Sequence, residues 1–148
     1  MIRNYKTKDA DAVVDVWKVA TAVAHPFLAN DFIADEAENL RNIYLVNAQT
    51  RVMEWDGEVA GFIAMIGNEI GGLFLDPELH GRGLGRALVD DAAKQFDTLE
   101  VEVFERNTVG RRFYDSYGFR GIGSSIHEAT GETVLRLAIV AKHAEVAV

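Results

Sequence analysis

The chain of 148 residues contains no cysteine. That excludes disulfides, thiolate metal sites and a cysteine nucleophile, and it leaves the redox compartment open. No apolar run approaches the roughly 20 residues of a membrane span. The opening stretch, MIRNYKTKDADAVV, lacks the basic-then-apolar pattern of a secretory signal, so a cytoplasmic location is the expectation. Positive charge is scarce: 15 Lys and Arg stand against 23 Asp and Glu, a net charge of -8. This balance argues against nucleic-acid binding and is compatible with a basic substrate. No G-x-x-x-x-G-K-[ST] phosphate loop, no G-x-S-x-G nucleophile motif and no His/Asp/Glu cluster at metal-ligand spacing occurs. Repeats, low-complexity tracts and interdomain linkers are also missing, so residues 1–148 are expected to form one domain.

What is present has a clear order. IRNYK reads as a short strand. Ala10, Val13, Val14, Trp17 and Ala20 then follow at helical spacing, until Pro26 interrupts them in AHPFL. A second helix is expected from about Asp31, with Ile33, Ala37, Leu40 and Tyr44 on one face. RVMEW and EVAGFIAMI flank Asp56-Gly57, a strong hairpin signal. After a second turn at Gly67-Asn68, EIGGLFLD reads as a strand, and its paired glycines suggest a bulge. Leu84, Leu88, Ala92 and Phe96 form a helical stripe, TLEVEVF alternates as a strand, and TVGRRFYDSYG is a short helix stopped at Gly118. FRGIGSSI and TVLRLAIV are two more strands, with a frayed tail expected after Val140. Hairpins mixed with single helices predict an α+β fold. Its mixed, mostly antiparallel sheet has about seven strands and about four helices packed on it.

The chemistry concentrates in LDPELHGRGLGRALVDDA. An acidic chain here places Gly81, Gly83 and Gly85, with Arg82 and Arg86, at the start of a helix. A helix N-terminus exposes unpaired N–H groups and the positive end of the dipole, which together favour phosphate. Glycines let the backbone approach a bulky pyrophosphate and adopt positive φ. A glycine-rich turn without a ligand is the competing reading. The dinucleotide pattern G-x-G-x-x-G is only half met, and the loop follows hairpins rather than opening a βαβ unit.

LHGRGLGRALVDDA resembles the acetyl-CoA pyrophosphate loop of the GNAT N-acetyltransferases, whose usual form is Gln/Arg-x-x-Gly-x-Gly/Ala. Gly83 and Gly85 occupy the glycines, and His80 stands where the family has Gln or Arg. LFLDPE resembles the strand that holds the pantetheine arm. ERNTVGRRFYDSYGF resembles the second signature, with Asn107, Tyr114, Gly118 and Phe119 at its positions. AHPFL is similar to a stretch of small single-domain bacterial members. The resemblance implies the GNAT fold to about Val140 and an acetyl-CoA cosubstrate with no metal. It also implies direct transfer of the acetyl group to a primary amine of a small molecule, a peptide terminus or a protein lysine. A non-catalytic acyl-CoA-binding module on the same fold is the alternative. Cofactor contacts would come from Leu73, Phe74, Leu75, His80, Gly81, Arg82, Gly83, Leu84, Gly85, Arg86 and Asn107.

An alkyl ammonium of pKa about 10 must lose a proton before it attacks, and the departing thiolate benefits from gaining one. Tyr114 matches the family's general acid; its competing role is that of a core aromatic beside Phe113, Tyr117 and Phe119. Glu69, at a strand start, His25, in the helix–helix connection, or a water chain would serve the amine, with Asp76 and Glu78 as weaker candidates. His25 could equally be a helix-terminal residue bonding a free carbonyl. His127 and His143 read as surface residues. The last strands could pair between two copies of the chain.

Overall fold

A computed structural model describes residues 1–144. The element order is β1 (Ile2–Asn4), α1 (Ala10–Ala24), α2 (Asn30–Asn39), α3 (Leu45–Asn47), β2 (Gln49–Trp55), β3 (Glu58–Ile66), β4 (Glu69–Leu75), α4 (Leu84–Ala93), β5 (Thr98–Phe104), α5 (Thr108–Tyr117), β6 (Arg120–Ile126) and β7 (Thr133–Val140). This is the expected sequence of elements, with one addition. A π-helical segment, Leu40–Tyr44, joins α2 to the single turn α3. The extra residue in that turn breaks the expected stripe. Leu40 and then Leu45 are buried, five positions apart, while Tyr44 is displaced to the surface side.

The seven strands form one sheet in the order β1-β2-β3-β4-β5-β7-β6. All neighbours are antiparallel except β4 and β5, which pair in parallel over only Glu69↔Glu100 and Ile70↔Val101. The strands carry alternate residues to opposite faces. Met53, Ile63, Met65, Ile70, Leu99, Val101 and Val103 pack with Leu88 and Val89 of α4 and Tyr114 of α5. Val52, Phe62 and Ala64 pack on the other face with Val13 and Val14 of α1, Ala37 of α2, and Leu40 and Leu45. Arg3 grips Asp9 through two N–H donors at 2.8 and 2.9 Å, tying β1 to the start of α1.

The predicted bulge is present. Ala64 faces Gly72 and Met65 faces Ile70, so Gly71 is the extra residue in β4. Beyond it, β4 stays on β3 while β5 stays on β7, and a wedge opens between them. At the far end, Ala141 is buried and donates its N–H to Asp97 O, and a 3-10 turn spans Lys142–Ala144. The expected fraying therefore does not begin at Val140, and the remainder of that expectation, residues 145–148, lies outside the described residues. Among the described residues no helix is long and apolar enough to cross a membrane.

Candidate active site

A cavity of about 1000 Å³ occupies the wedge, lined by Gly71–Leu75 of β4 on one side and Val101–Phe104 of β5 on the other. Past the two parallel pairs, the β4 edge that faces β5 has no strand partner among the described residues. Its N–H and C=O groups are free to pair with an extended, amide-bearing ligand. Leu73, Phe74 and Leu75 are thus placed as the sequence suggested, and their side chains also pack in the molecule.

The glycine loop closes one end of this cavity. Gly83 caps α4 in a left-handed conformation at φ +78°, and Gly81 has φ +82°. Such backbone is costly for any side chain. The first-turn N–H groups of α4 have no intrahelical partner, since the first helical bond runs from Ala87 N–H to Gly83 O. Gly85 has a different reason: a Cβ there would stand 3.1 Å from Cε1 of Phe113, so α4 and α5 meet at this residue. His80, Gly81, Gly83, Leu84, Gly85 and Arg86 line the cavity. Arg82 is not part of that lining; its guanidinium lies 5.6 Å from the ring centroid of Trp55. Arg86 lies 4.8 Å over the Tyr117 ring and donates to Ser116 O at 3.3 Å, bridging α4 to α5.

Asn107 and Tyr114 sit on opposite ends of α5. Asn107, 8% exposed, caps the helix, its Oδ1 accepting the Gly110 N–H at 2.8 Å. Tyr114, 6% exposed, belongs to the core and also lines the cavity. Its packing and its place in the cavity wall are compatible with both sequence readings of this residue. Among the described residues the sealed side-chain oxygens without a partner are those of Thr21 and Thr50. The Tyr114 hydroxyl is not one of them, and among the described residues it has no hydrogen-bond partner. Burial pushes its phenol above the ordinary value, so it stays protonated at neutral pH. Tyr117 differs: its hydroxyl donates to Asp90 Oδ1 at 2.5 Å.

The other end of the cavity is built from α1, α2 and the β6–β7 turn. Phe32, Glu36, Leu40 and Tyr44 line it from the α2 side. His25, Phe104, His127 and Phe32 form a chain of edge-on rings, with centroids 5.1, 5.3 and 5.8 Å apart in that order. His127 is thus half-buried in the wall, not a surface residue, and its Nδ1 lies 2.9 Å from Thr130 Oγ1. His143 is exposed, 3.5 Å from Asp97. His25 lines the cavity, and its Nε2 lies 3.1 Å from Asn107 Nδ2. The ring is held neutral, its pKa lowered by burial to about 4.

Glu69 starts β4 but does not line the cavity. It shares the guanidinium of Arg136 with Glu100 and Glu102, at 3.0, 3.0 and 3.1 Å. Glu102 alone of these three carboxylates reaches the cavity, with its side chain 49% exposed. Asp76 is engaged in capping the turn Pro77–Leu79, accepting from Glu78 N–H at 3.0 Å. Sequence reasoning passed over Glu102, Glu36 and His127. The alternation in TLEVEVF did place Glu102 on the face away from the apolar residues, but not beside a cavity.

The carboxylate and guanidinium residues of the cavity lining are Glu36, Arg86, Glu102 and Arg112. Arg86 and Arg112 belong to α4 and α5, at one end. Glu36 belongs to α2, on the opposite wall, and Glu102 to β5. An anionic ligand suits the first end and a cationic one the second.

The family model described as Acetyltransferase (GNAT) domain matches residues 20–136. The peptidyl-lysine N-acetyltransferase YiaC of Escherichia coli is 30% identical over 131 residues, covering 88% of this chain and 90% of that one. The solution structure of apo YjaB from Escherichia coli superposes with a TM-score of 0.84 at 27% identity, covering 93% of this chain and 95% of that one. The PaiA N-acetyltransferase of Thermoplasma acidophilum, solved with coenzyme A, shares the fold with a TM-score of 0.76 at 18% identity, covering 92% and 96%.

Proposed function

The chain belongs to the acetyltransferase (GNAT) family, and from that membership we propose that it moves the acetyl group of acetyl-CoA to the side-chain amine of a lysine in a protein or peptide. The observation that carries this reading is the convergence in one cavity of three features. They are a strand edge without a partner, a glycine-capped helix N-terminus and a buried tyrosine whose hydroxyl the protein leaves unbonded. The first two fit the two halves of the cosubstrate. The free β4 edge suits the amides of a pantetheine arm, and the α4 N-terminus suits a pyrophosphate. The lysine acceptor is supported by the curated relative's name and by the carboxylates Glu36 and Glu102 in the cavity lining.

The chain's own residues supply the proton transfers. The thioester brings an activated acyl carbon. The amine loses its proton through water to Glu102, which faces the cavity and shares one guanidinium with two other carboxylates, leaving a local excess of negative charge. That excess also attracts the ammonium before it is deprotonated. Glu69 acts through Arg136, on the charge around Glu102. Tyr114 donates its phenolic proton to the departing thiolate. The bond formed is N–C and the bond broken is C–S; from the ammonium, the nitrogen gives up two protons, one passed through water and Glu102 to solvent before attack, and one, lost as the amide forms, that balances the proton gained by sulfur.

The test is release of free CoA thiol from acetyl-CoA with three acceptors. These are a peptide with one internal lysine and a blocked N-terminus, the same peptide with lysine replaced by glutamine and a free N-terminus, and a small diamine. Release with the first above both others supports the reading. Release with none of them, in a protein that binds CoA, returns the chain to a non-catalytic acyl-CoA-binding role.

A further inference from the structure

His25 ends α1, its own N–H bonded to Thr21 O at 2.8 Å. Its backbone thus caps α1, while among the described residues its side chain meets Asn107 and not a carbonyl of the helix end. Its ring is wedged between Phe27 and Phe104, at 5.8 and 5.1 Å between centroids, and meets the side chain of Asn107. The atoms at that meeting can be assigned by elimination. The Gly110 N–H can only donate, so the Asn107 atom facing it at 2.8 Å is the oxygen. The amide nitrogen then faces His25. That nitrogen can only donate, so His25 Nε2 must offer a lone pair and the ring proton sits on Nδ1. Gly110 leaves the room this amide occupies: a Cβ there would stand 2.5 Å from Asn107 Nδ2, so the side chain lies directly over the helix start.

From this geometry we infer that His25 is a positioning residue: with Nε2 as acceptor, it locks the Asn107 amide in the orientation that caps α5, and through α5 it places Tyr114. The inference rests on the reading of Tyr114 given above. The lone pair that a general base would use is already spent on Asn107. A proton on Nε2 would set N–H against N–H and oppose the cap. Burial among the aromatic rings disfavours that proton as well, in keeping with a pKa lowered to about 4. Asn107 and Tyr114 are seven residues apart, close to two helical turns, so the cap and the phenol lie near one face of α5. The same histidine begins the aromatic chain through Phe104 and His127 to Phe32 on the acceptor side. One hydrogen bond thus joins the acceptor wall to the helix that carries the acid.

Two experiments decide. Long-range proton–nitrogen NMR spectra of the wild-type protein report the His25 tautomer without any activity. Nδ1 carrying the proton and Nε2 bare is the expected result, and the opposite tautomer overturns the inference even if acetyl transfer is confirmed. Steady-state kinetics then test the coupling. His25→Ala should lower kcat about tenfold, the rate equivalent of one neutral hydrogen bond. The KM for acetyl-CoA should change far less. His25→Gln, whose amide oxygen can accept from Asn107, should recover most of the rate. His25→Ala combined with Asn107→Ala should be no slower than Asn107→Ala alone. A His25→Gln variant as slow as His25→Ala, or losses that multiply in the double variant, would show that His25 does not act through Asn107. If His25→Ala fails to fold, the tautomer and the rate of His25→Gln against wild type still decide between the two outcomes.

Discussion

Replacing Tyr114 with phenylalanine removes one oxygen from the wall of the cavity and nothing else. The ring packs edge-on against Phe113 and Phe119, with centroids 5.2 and 5.1 Å away, and those contacts survive the change. The hydroxyl has no protein partner to lose, so no buried group is orphaned. The folded protein should melt within about 0.5 kcal/mol of wild type, the range expected when no packing or bonding is lost. Turnover should respond differently. Loss of a general acid lowers rates by about 10²-fold or more, a barrier increase of about 2.7 kcal/mol or more. Because burial raises the phenol's pKa, the wild-type enzyme should keep its acid across the alkaline range in which the acceptor amine loses its proton. Its rate should therefore rise with pH there. Steady-state turnover at saturating acetyl-CoA, measured beside thermal melts and CoA titrations, checks all of this. Tyr117→Phe is the control: its hydroxyl serves Asp90, so turnover should hold while the α4–α5 contact weakens. Full turnover in Tyr114→Phe, or a larger loss in Tyr117→Phe, would refute the assignment.

Gly83→Ala forces a side chain into the left-handed region at φ +78°, at a cost of about 1–2 kcal/mol, and should raise the KM for acetyl-CoA about tenfold with kcat nearly kept; calorimetric CoA titration reads the loss. Glu102→Gln should lower kcat by about 10²-fold at neutral pH and spare CoA affinity, whereas Glu69→Gln, one ion pair removed, should cost less than tenfold, on the order of a partly exposed pair. Asp9 is held down to about 2 from 3.8, first by its hydrogen bonds from Arg3, so its carboxylate stabilises the fold above pH 4 and that contribution disappears as pH falls toward 2. Acid titration of Asp9→Asn, followed by circular dichroism, should show a lower melting temperature at neutral pH and a flatter dependence on pH in that window.

Much of this molecule was legible because local rules and global packing agree. The paired glycines of EIGGLFLD announced a bulge, and Gly71 is the extra residue that parts β4 from β5. Glycines at the head of a helix suggested a backbone free to take positive φ, and Gly81 and Gly83 take it. Other features lay beyond the reach of one-dimensional patterns. The π-helical turn at Leu40–Tyr44 moves the buried position from Tyr44 to Leu45, which a 3.6-residue period does not anticipate. Alternation set the face of Glu102, but only the splay of the sheet makes that face a cavity wall. Glu69 had the right position in its strand and the wrong neighbour, because Arg136 reaches it from a strand 67 residues further along. His127 was similarly hidden, since a turn residue joins an aromatic wall only when β5, β7 and α2 have come together.

Acetyl transfer to a lysine side chain in the splayed cavity is the central claim. Mass spectrometry of a single-lysine, N-terminally blocked peptide, incubated with the protein and acetyl-CoA, tests it directly. The expected result is one acetyl group on the lysine Nζ for each free CoA thiol released, and near loss of both signals with Tyr114→Phe. Thiol release with the peptide left unmodified, or equal acetylation by Tyr114→Phe, would contradict it.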